Sequence, residues 1–311
     1  MIGVARAGLF ALVPAIACGG APPVAVPDVA PAPRGVAEGI LAMLPPGAQV
    51  VVELDLARLR ANPVVGAVVT RALAERTEDL PAGVPASPLA IADQLVLAAY
   101  GVGTAQAATL TVLAAPREIP DASRLADGFY AIGPADWVDQ AQQRVALAAT
   151  GENKLAIAAP AELLELRRRA MPASAPGASL RVTALLSFDA RVALARLTGL
   201  DAAPAQLSAW ADVADDLALV VDCDAADPGN RAPGHRSDAR RLEATLRGAL
   251  AAAAEQPMVR SLGLPSSLAG AKLVSRGSWV RAIIAIGPAH LQRVVERATA
   301  LLAAPTGDRS P

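Results

Sequence analysis

The 311-residue sequence is poor in the side chains that carry out most protein chemistry. It has two cysteines, two histidines and only two lysines, Lys154 and Lys272, and aromatic residues make up 3% of it. Two isolated histidines, His235 and His290, cannot form an HExxH motif or another multi-histidine metal site. The sequence therefore predicts no metal and no cofactor. Because 53% of the residues are hydrophobic and few are aromatic, it also predicts a folded body with an aliphatic core.

The chain also lacks an excess of charge of one sign. It has 28 basic and 29 acidic residues, and removal of Arg6 with an export signal would leave 27 basic residues. The densest basic run, Arg167–Arg169, is predicted to be a solvated helix end whose charge complements the helix dipole. Nucleic-acid binding needs clustered basic residues, so we do not expect a nucleic-acid partner.

Residues 1–17 (MIGVARAGLFALVPAIA) have the pattern of an export signal. Arg6 is followed by eleven apolar or small residues that end at Ala17. Eleven residues are too few to span a bilayer, which takes about 20, but they suit the apolar region of a signal peptide. We therefore predict that residues 1–17 are a signal peptide, removed before Cys18.

The segment Ala15–Gly20 (AIACGG) resembles the cleavage site of bacterial lipoproteins, where small residues precede a cysteine. The resemblance implies that Cys18 is lipidated and becomes the first residue. Gly19, rather than aspartate, then implies an outer-membrane anchor, with the body on the periplasmic face. Ala15 departs from the family, which usually has leucine there. The same residues fit ordinary signal peptidase, so a secreted or soluble periplasmic protein is the alternative.

The remaining chain divides into a tether, two halves and a tail. Five prolines in residues 19–34 predict a polyproline-like tether, so residues 18–35 are assigned to the lipidated cysteine and tether. We predict an α+β fold with two similar halves, 36–171 and 178–303, of mixed, mainly antiparallel strands packed with amphipathic helices. Residues 304–311 are predicted to be a disordered tail.

Similarity between the halves is predicted from three pairs of segments that match in the same order. These are Val51–Leu59 with Leu185–Ala193, Ala92–Tyr100 with Ala214–Asp222, and Leu155–Ala170 with Ile284–Ala298. Ala107–Ala114 is predicted to be an extra strand, present in the first half only. The pentapeptide AIGPA occurs at 131–135 and at 285–289, and we attribute that repeat to low complexity.

Three features resemble known sites and are interpreted as structural. Asp222, Asp224 and Asp227 have a spacing that can bind calcium, but they lack the glycine and distal glutamate of a calcium loop. We expect them to form a solvated acidic loop. Gly101-Val102-Gly103 lacks the third glycine of a dinucleotide loop and is expected to be a hairpin turn. Cys223 lies beside an apolar run and is expected to be a buried small hydrophobe.

No catalytic constellation emerges from these residues. His235 is expected in a flexible loop and His290 on the polar side of the last helix, both in structural roles. The leading hypothesis is therefore a lipid-anchored envelope protein with a non-enzymatic binding or assembly role and an envelope protein partner. The alternatives are a lipid-tethered hydrolase with a site assembled from scattered residues, and a carrier of a small apolar ligand. A histidine beside a serine in a cleft would favour the hydrolase.

Overall fold

In the residues that the structure describes, apolar and alternating segments form ten strands, and all ten join one antiparallel sheet. The computed structural model describes residues 36–75, 87–149, 161–169, 178–198, 203–224 and 236–303. With helices packed on the sheet, the expected α+β class is confirmed. The strands are β1 (Val50–Asp55), β2 (Gln94–Tyr100), β3 (Ala108–Ala114), β4 (Ser123–Ala126), β5 (Phe129–Ile132), β6 (Leu180–Leu185), β7 (Gln206–Val213), β8 (Leu217–Asp224), β9 (Lys272–Arg276) and β10 (Trp279–Ile286).

The helices occupy most of the connections between these strands. A short 3₁₀ turn, Ser87–Ala90, precedes β2. Within the described ranges, no helix is long and apolar enough to cross a membrane. The helices are α1 (Val36–Met43), α2 (Leu56–Ala61), α3 (Gly66–Glu75), α4 (Ala135–Ala149), α5 (Ala161–Arg169), α6 (Phe188–Thr198), α7 (Arg236–Glu255), α8 (Pro257–Leu262), α9 (Pro265–Ala269) and α10 (Pro288–Ala303).

The strand order is the same when read outward from the centre in either direction. β1 and β6 pair at the centre, with Glu53 opposite Arg181. From β1 the order continues through β2, β3 and β5 to β4, and from β6 through β7, β8 and β10 to β9. The two halves of the sheet therefore share one strand order, while the duplication that we infer from the sequence stays a prediction.

Two of the three matched segment pairs do not join equivalent elements. The first pair joins the right elements with an offset. β1 with α2 and β6 with α6 each lead away from the central strand pair, but Leu185 is the last residue of β6 and Asp189 lies inside α6, whereas Asp55 ends β1. The second pair equates β2 with β8, which are second and third from the centre, so that equivalence is wrong. In the third pair, residues 155–160 lie outside the described residues. Its helix α5 leads into the central strand β6, whereas α10 follows the outer hairpin.

The repeated pentapeptide AIGPA marks an equivalent junction in each half. At 131–135 it ends β5 and begins α4, and at 285–289 it ends β10 and begins α10. Proline suits the start of a helix because its missing N–H would have no partner there. The attribution to low complexity is therefore wrong. Ala108–Ala114 forms β3 as a strand, but β8 holds the same place in the second half, so β3 is not an extra strand.

Side chains alternate between the two sides of the sheet, which we name the α5 side and the α7 side after helices that pack on them. In the first half, α1, α4 and α5 cover the α5 side with an apolar core that includes Ile40 and Leu163. Residues on the α5 side include Val96, Glu53, Thr183, Ser208, Asp222 and Arg281. Their neighbours on the α7 side include Leu97, Val52, Val182, Ala209, Val221 and Ala282.

The α7 side is covered in both halves. In the first half, Leu56 of α2 and Leu89 of the 3₁₀ turn pack against Leu95 and Leu113. In the second half, Leu242 of α7 packs with Cys223 and Val280. Full burial of each such aliphatic side chain contributes about 1.5–3 kcal/mol to stability. These clusters leave the α5 side of the second half as the distinctive surface of the molecule.

Candidate functional site

The helix that follows the outer hairpin takes a different course in each half. In the first half, Val138 and Ala141 of α4 are buried in the cluster on the α5 side. In the second half, α10 contacts α3 and α8, and Arg71 of α3 donates a hydrogen bond to the Leu302 carbonyl (3.1 Å). Because α3 belongs to the helices of the α7 side, α10 does not repeat the packing of α4.

The α5 side of the outer strands is consequently open to solvent. Val274 on β9 is 43% exposed, and Arg281 and Ala285 on β10 are also exposed. The neighbours of these residues on β10, Val280 and Ala282, point to the α7 side and are buried. The α7 side of β10 is thus buried, whereas its α5 side is partly exposed. We call the α5 side of β10 and β9 the open surface.

A row of polar side chains leads from the sheet centre to the open surface. Thr183, Ser208, Asp222 and Arg281 are direct cross-strand neighbours on β6, β7, β8 and β10. In the first half the same row continues with apolar residues: Val51, Ala98 and Leu110. The polar row therefore lies in the half of the sheet where, among the described helices, α10 does not repeat the packing of α4.

Asp222 and Arg281 form the outer end of the polar row. The Arg281 Nε and Nη2 atoms donate to the two carboxylate oxygens of Asp222, each at 2.7 Å. Asp222 is 4% exposed, and its hydrogen bonds from Arg281 raise the pKa of that arginine. The prediction of a solvated acidic loop is wrong for Asp222 and Asp224, because both are buried in β8. Asp227 lies outside the described residues.

The inner end of the row contains buried polar groups beneath α5, which contacts β6 and β7. Thr183 and Ser208 are fully buried and Trp210 is 8% exposed. The Thr183 Oγ1, Ser208 Oγ and Trp210 Nε1 atoms have no hydrogen-bond partner among the residues that the structure describes. Buried polar groups of this kind cost stability unless water or a ligand pairs with them, so this end of the row is suited to polar contacts.

An ion cluster joins α5 to the central strands beside the polar row. Arg167 donates to both carboxylate oxygens of Glu53 at 2.6 and 2.8 Å, and Arg181 lies 3.6 Å from the same carboxylate. Burial lowers the pKa of Arg181. Burial also opposes the charge of Arg167, but its hydrogen bonds to Glu53 raise its pKa on balance. The prediction of a solvated helix end is therefore wrong for Arg167.

His290 lies beside a serine, which is one part of the arrangement expected for a hydrolase. Its Nδ1 atom is 3.2 Å from Ser267 Oγ, and its Nε2 atom is 2.8 Å from the Gly263 carbonyl oxygen. A carbonyl oxygen can only accept, so Nε2–H donates to Gly263, and in the neutral ring Nδ1 accepts from Ser267. The ring thus ties the first turn of α10 to α9 and to the end of α8.

Two of the remaining sequence predictions, for Cys223 and for the turn at 101–103, concern residues that the structure describes. Cys223 is fully buried, and burial raises the pKa of its thiol to about 12, as a buried small hydrophobe requires. Gly101–Gly103 form the expected hairpin turn between β2 and β3. In the part of the chain that is described, no three His, Cys, Asp or Glu residues are placed to hold a metal ion. Cys18 and His235 lie outside the described residues.

One strand of the polar row, β7, has an alternating pattern in the sequence that indicates a polar side. β7 reads QLSAWADV, in which polar or aromatic residues alternate with aliphatic ones. This period of two predicts one apolar side and one polar side. No comparable signal marks the ion cluster, because Glu53 and Arg167 are 114 positions apart.

Comparisons with known proteins add one distant structural similarity. No family model and no curated protein matches the sequence. A crystal structure of TP0453, crystal form I, has a TM-score of 0.44 and 6% identity over 84% of this chain and 96% of that chain. Crystal form III gives 0.43 and 7% over 84% and 97%. Similarity at this level does not bear on function.

Proposed function

We propose that the chain is a lipid-anchored protein of the cell envelope that binds an envelope protein with its open surface and does not catalyse a reaction. The observation that supports this proposal is the asymmetry of the α5 side. In the first half this side is filled by apolar residues and helices. In the second half it carries the polar row among apolar residues, and Arg281 and Ala285 are exposed.

The composition of the open surface supports a binding role. Half-buried Val220, Trp279 and Ile283 lie on the same side as the exposed Arg281. Arginine and tryptophan are enriched at protein interfaces, and apolar residues form the interface core with polar groups around them. Arg281 is held in place by its ion pair with Asp222, so this side chain is already positioned before a partner binds.

Photo-crosslinking in the producing bacterium tests the open surface. A benzophenone amino acid placed at Ala285, on the open surface, is expected to give discrete adducts with an envelope protein. The same amino acid at Ala300, an exposed position on α10, is the matched control and should not give those adducts. Identical adducts from both positions, or none from Ala285, would remove the support for this surface.

The anchor is tested by lipid labelling. The full chain, expressed in a Gram-negative host with radiolabelled palmitate, is expected to become labelled and to fractionate with the outer membrane. Cys18→Ala should abolish the label, because the thiol of Cys18 is the proposed attachment point. Several acyl chains on one cysteine anchor a protein without a spanning helix, at about 0.8 kcal/mol per buried CH₂. Unlabelled protein in the soluble periplasm would contradict the proposal.

A hydrolase is the second candidate, because His290 contacts Ser267. Our proposal assigns this contact to structure, so His290→Ala should lower the free energy of unfolding by about 1–2 kcal/mol through lost hydrogen bonds. Urea denaturation measures that change. Hydrolysis of a p-nitrophenyl ester should be indistinguishable between the wild type and Ser267→Ala. An ester hydrolysis rate that falls to background in Ser267→Ala would favour the hydrolase instead.

A further inference from the structure

The two edges of the sheet differ in how well they can accept another strand. β4 has only four residues, and its pairing with β5 is irregular between Arg124 and Ala126. β9 pairs with β10 in unbroken register over five residues, from Lys272 to Arg276. Within the described residues, β9 pairs only with β10. A bulge, a short length and charged side chains all protect an edge from further pairing. β9 has an unbroken register, but Lys272 and Arg276 disfavour pairing with an uncharged or basic strand.

The free edge of β9 adjoins a basic surface. Lys272, Arg276 and Arg281 lie on the α5 side of the β9–β10 hairpin, and all three are exposed. Neither strand contains an aspartate or a glutamate. The acidic residues of the adjacent β8 on this side, Asp222 and Asp224, are buried. Asp222 offsets the charge of Arg281, so a ligand that approaches this edge meets positive charge chiefly from Lys272 and Arg276.

Apolar groups lie between these charges in a regular pattern. Along β9, Val274 stands between Lys272 and Arg276, and it is 43% exposed. Opposite them on β10 are Ile283, Arg281 and Trp279. The other side of β9 is occupied, because Ser275 donates a hydrogen bond to Glu243 of α7. The side chains of a strand added to β9 could therefore contact the basic and apolar side chains on the α5 side of the hairpin.

A second copy of the chain is a poor occupant of this edge. If two β9 strands paired antiparallel about Val274, each Lys272 would lie opposite an Arg276. Like charges directly opposite in a sheet are destabilising, whereas opposite charges stabilise the pair. The charge pattern therefore favours a strand that carries acidic side chains at the positions facing Lys272 and Arg276.

We propose that β9 is a docking strand for an extended acidic peptide segment of the envelope partner, which adds to the sheet as an eleventh strand. Backbone hydrogen bonds to β9 provide the pairing. Acidic side chains lie beside Lys272 and Arg276, and an apolar side chain between them contacts Val274. This inference rests on the proposed binding function and names the chemical class of the partner segment.

A synthetic peptide tests the proposal directly. The probe has seven residues, with glutamate at its second and sixth positions, valine at its fourth and threonine elsewhere. The matched control peptide has lysine in place of each glutamate. The full mature chain is expected to bind the acidic peptide and not the basic one, in a fluorescence anisotropy titration at low salt. Binding should weaken as salt rises, because exposed charge pairs are screened.

Charge reversal on β9 supplies the decisive variant. Lys272→Glu combined with Arg276→Glu should weaken binding of the acidic peptide by about tenfold or more and create binding of the basic peptide. Both residues are exposed, so the variant should fold, which circular dichroism checks. Arg124→Glu on the opposite edge strand is the control and should leave binding unchanged. Equal binding by the wild type and the double variant would overturn the proposal.

Hydrogen–deuterium exchange distinguishes strand addition from a purely electrostatic contact. The acidic peptide should slow exchange of β9 amides. The amides of β9 that do not bond to β10 are the informative ones. No change in their exchange on peptide binding would overturn the proposal, as would their protection without peptide, either in a dimer or by another segment of the chain. If the peptide fails but Ala285 still forms specific adducts in cells, the binding function stands and the assignment to β9 is wrong. If both fail, the binding function is also wrong.

Discussion

Replacing Glu53 with alanine is expected to lower the free energy of unfolding by about 3–5 kcal/mol, because the carboxylate that two buried arginines share would be removed and Arg167 would be left with its longer contact to Glu38 at 3.5 Å. Glu53 is 7% exposed and accepts two hydrogen bonds from Arg167. Arg181 lies 3.6 Å from the same carboxylate, and burial already lowers the pKa of Arg181. Urea denaturation followed by circular dichroism measures the change.

An exposed ion pair provides the control for this prediction. Arg124 and Asp127 lie 2.7 Å apart on the surface, with side chains 66% and 99% exposed. Asp127→Asn should leave stability unchanged within error, because exposed ion pairs contribute little. If Glu53→Ala were as mild as Asp127→Asn, the ion cluster would not be what fixes α5 on the sheet.

Gly103→Ala is the second substitution with a large expected effect, a loss of about 3 kcal/mol or more. Gly103 has a φ of +85°, in the left-handed region that favours glycine. A Cβ atom there would lie 2.7 Å from the backbone N and Cα of Ala190 in α6. Since Ala190 is 1% exposed, neither the turn nor α6 can move aside without loss of packing.

A comparison with Gly47 distinguishes the two causes of the stability loss at Gly103, which are the backbone conformation and the close approach to α6. Gly47 has a similar φ of +92°, but a Cβ atom at Gly47 would have no neighbour within 4 Å. Gly47→Ala should therefore cost only the conformational term, about 1–2 kcal/mol. Thermal unfolding of both variants gives the comparison. Equal losses at the two positions would mean that the β2–β3 turn does not pack against α6 as closely as described.

The strands could be recognised from the sequence because burial imposes a local pattern. β2 and β3 are apolar runs bounded by the glycine turn at 101–103, and both were expected. The positions of these strands in the sheet could not be predicted from the same local pattern. The apolar segments of β2 and β8 resemble each other because each is an apolar strand behind an acidic turn, yet they occupy different positions. The composition of a segment indicates whether it is buried, whereas the order of strands in a sheet depends on pairing between segments that are far apart in the chain.

The candidate site was harder to predict for the same reason. The polar row combines Thr183, Ser208, Asp222 and Arg281 from four strands, and no short motif joins residues so far apart in the chain. Of these four residues, only Asp222 belongs to a recognisable sequence pattern, the acidic cluster with Asp224 and Asp227. The role of Asp222 could not be inferred because its partner, Arg281, is 59 positions away. Only the alternating pattern of β7 pointed to a polar side of the sheet.

The open surface is expected to be exposed in the isolated chain and covered by a partner in the envelope. Cysteine labelling of Ala285→Cys tests this claim most directly, because Cys223 is fully buried with a thiol pKa of about 12 and stays unreactive. Maleimide should label the purified variant rapidly and the same variant in intact cells much more slowly. Ala300→Cys on α10 should label equally fast in both. The same ratio of rates at the two positions would contradict the claim.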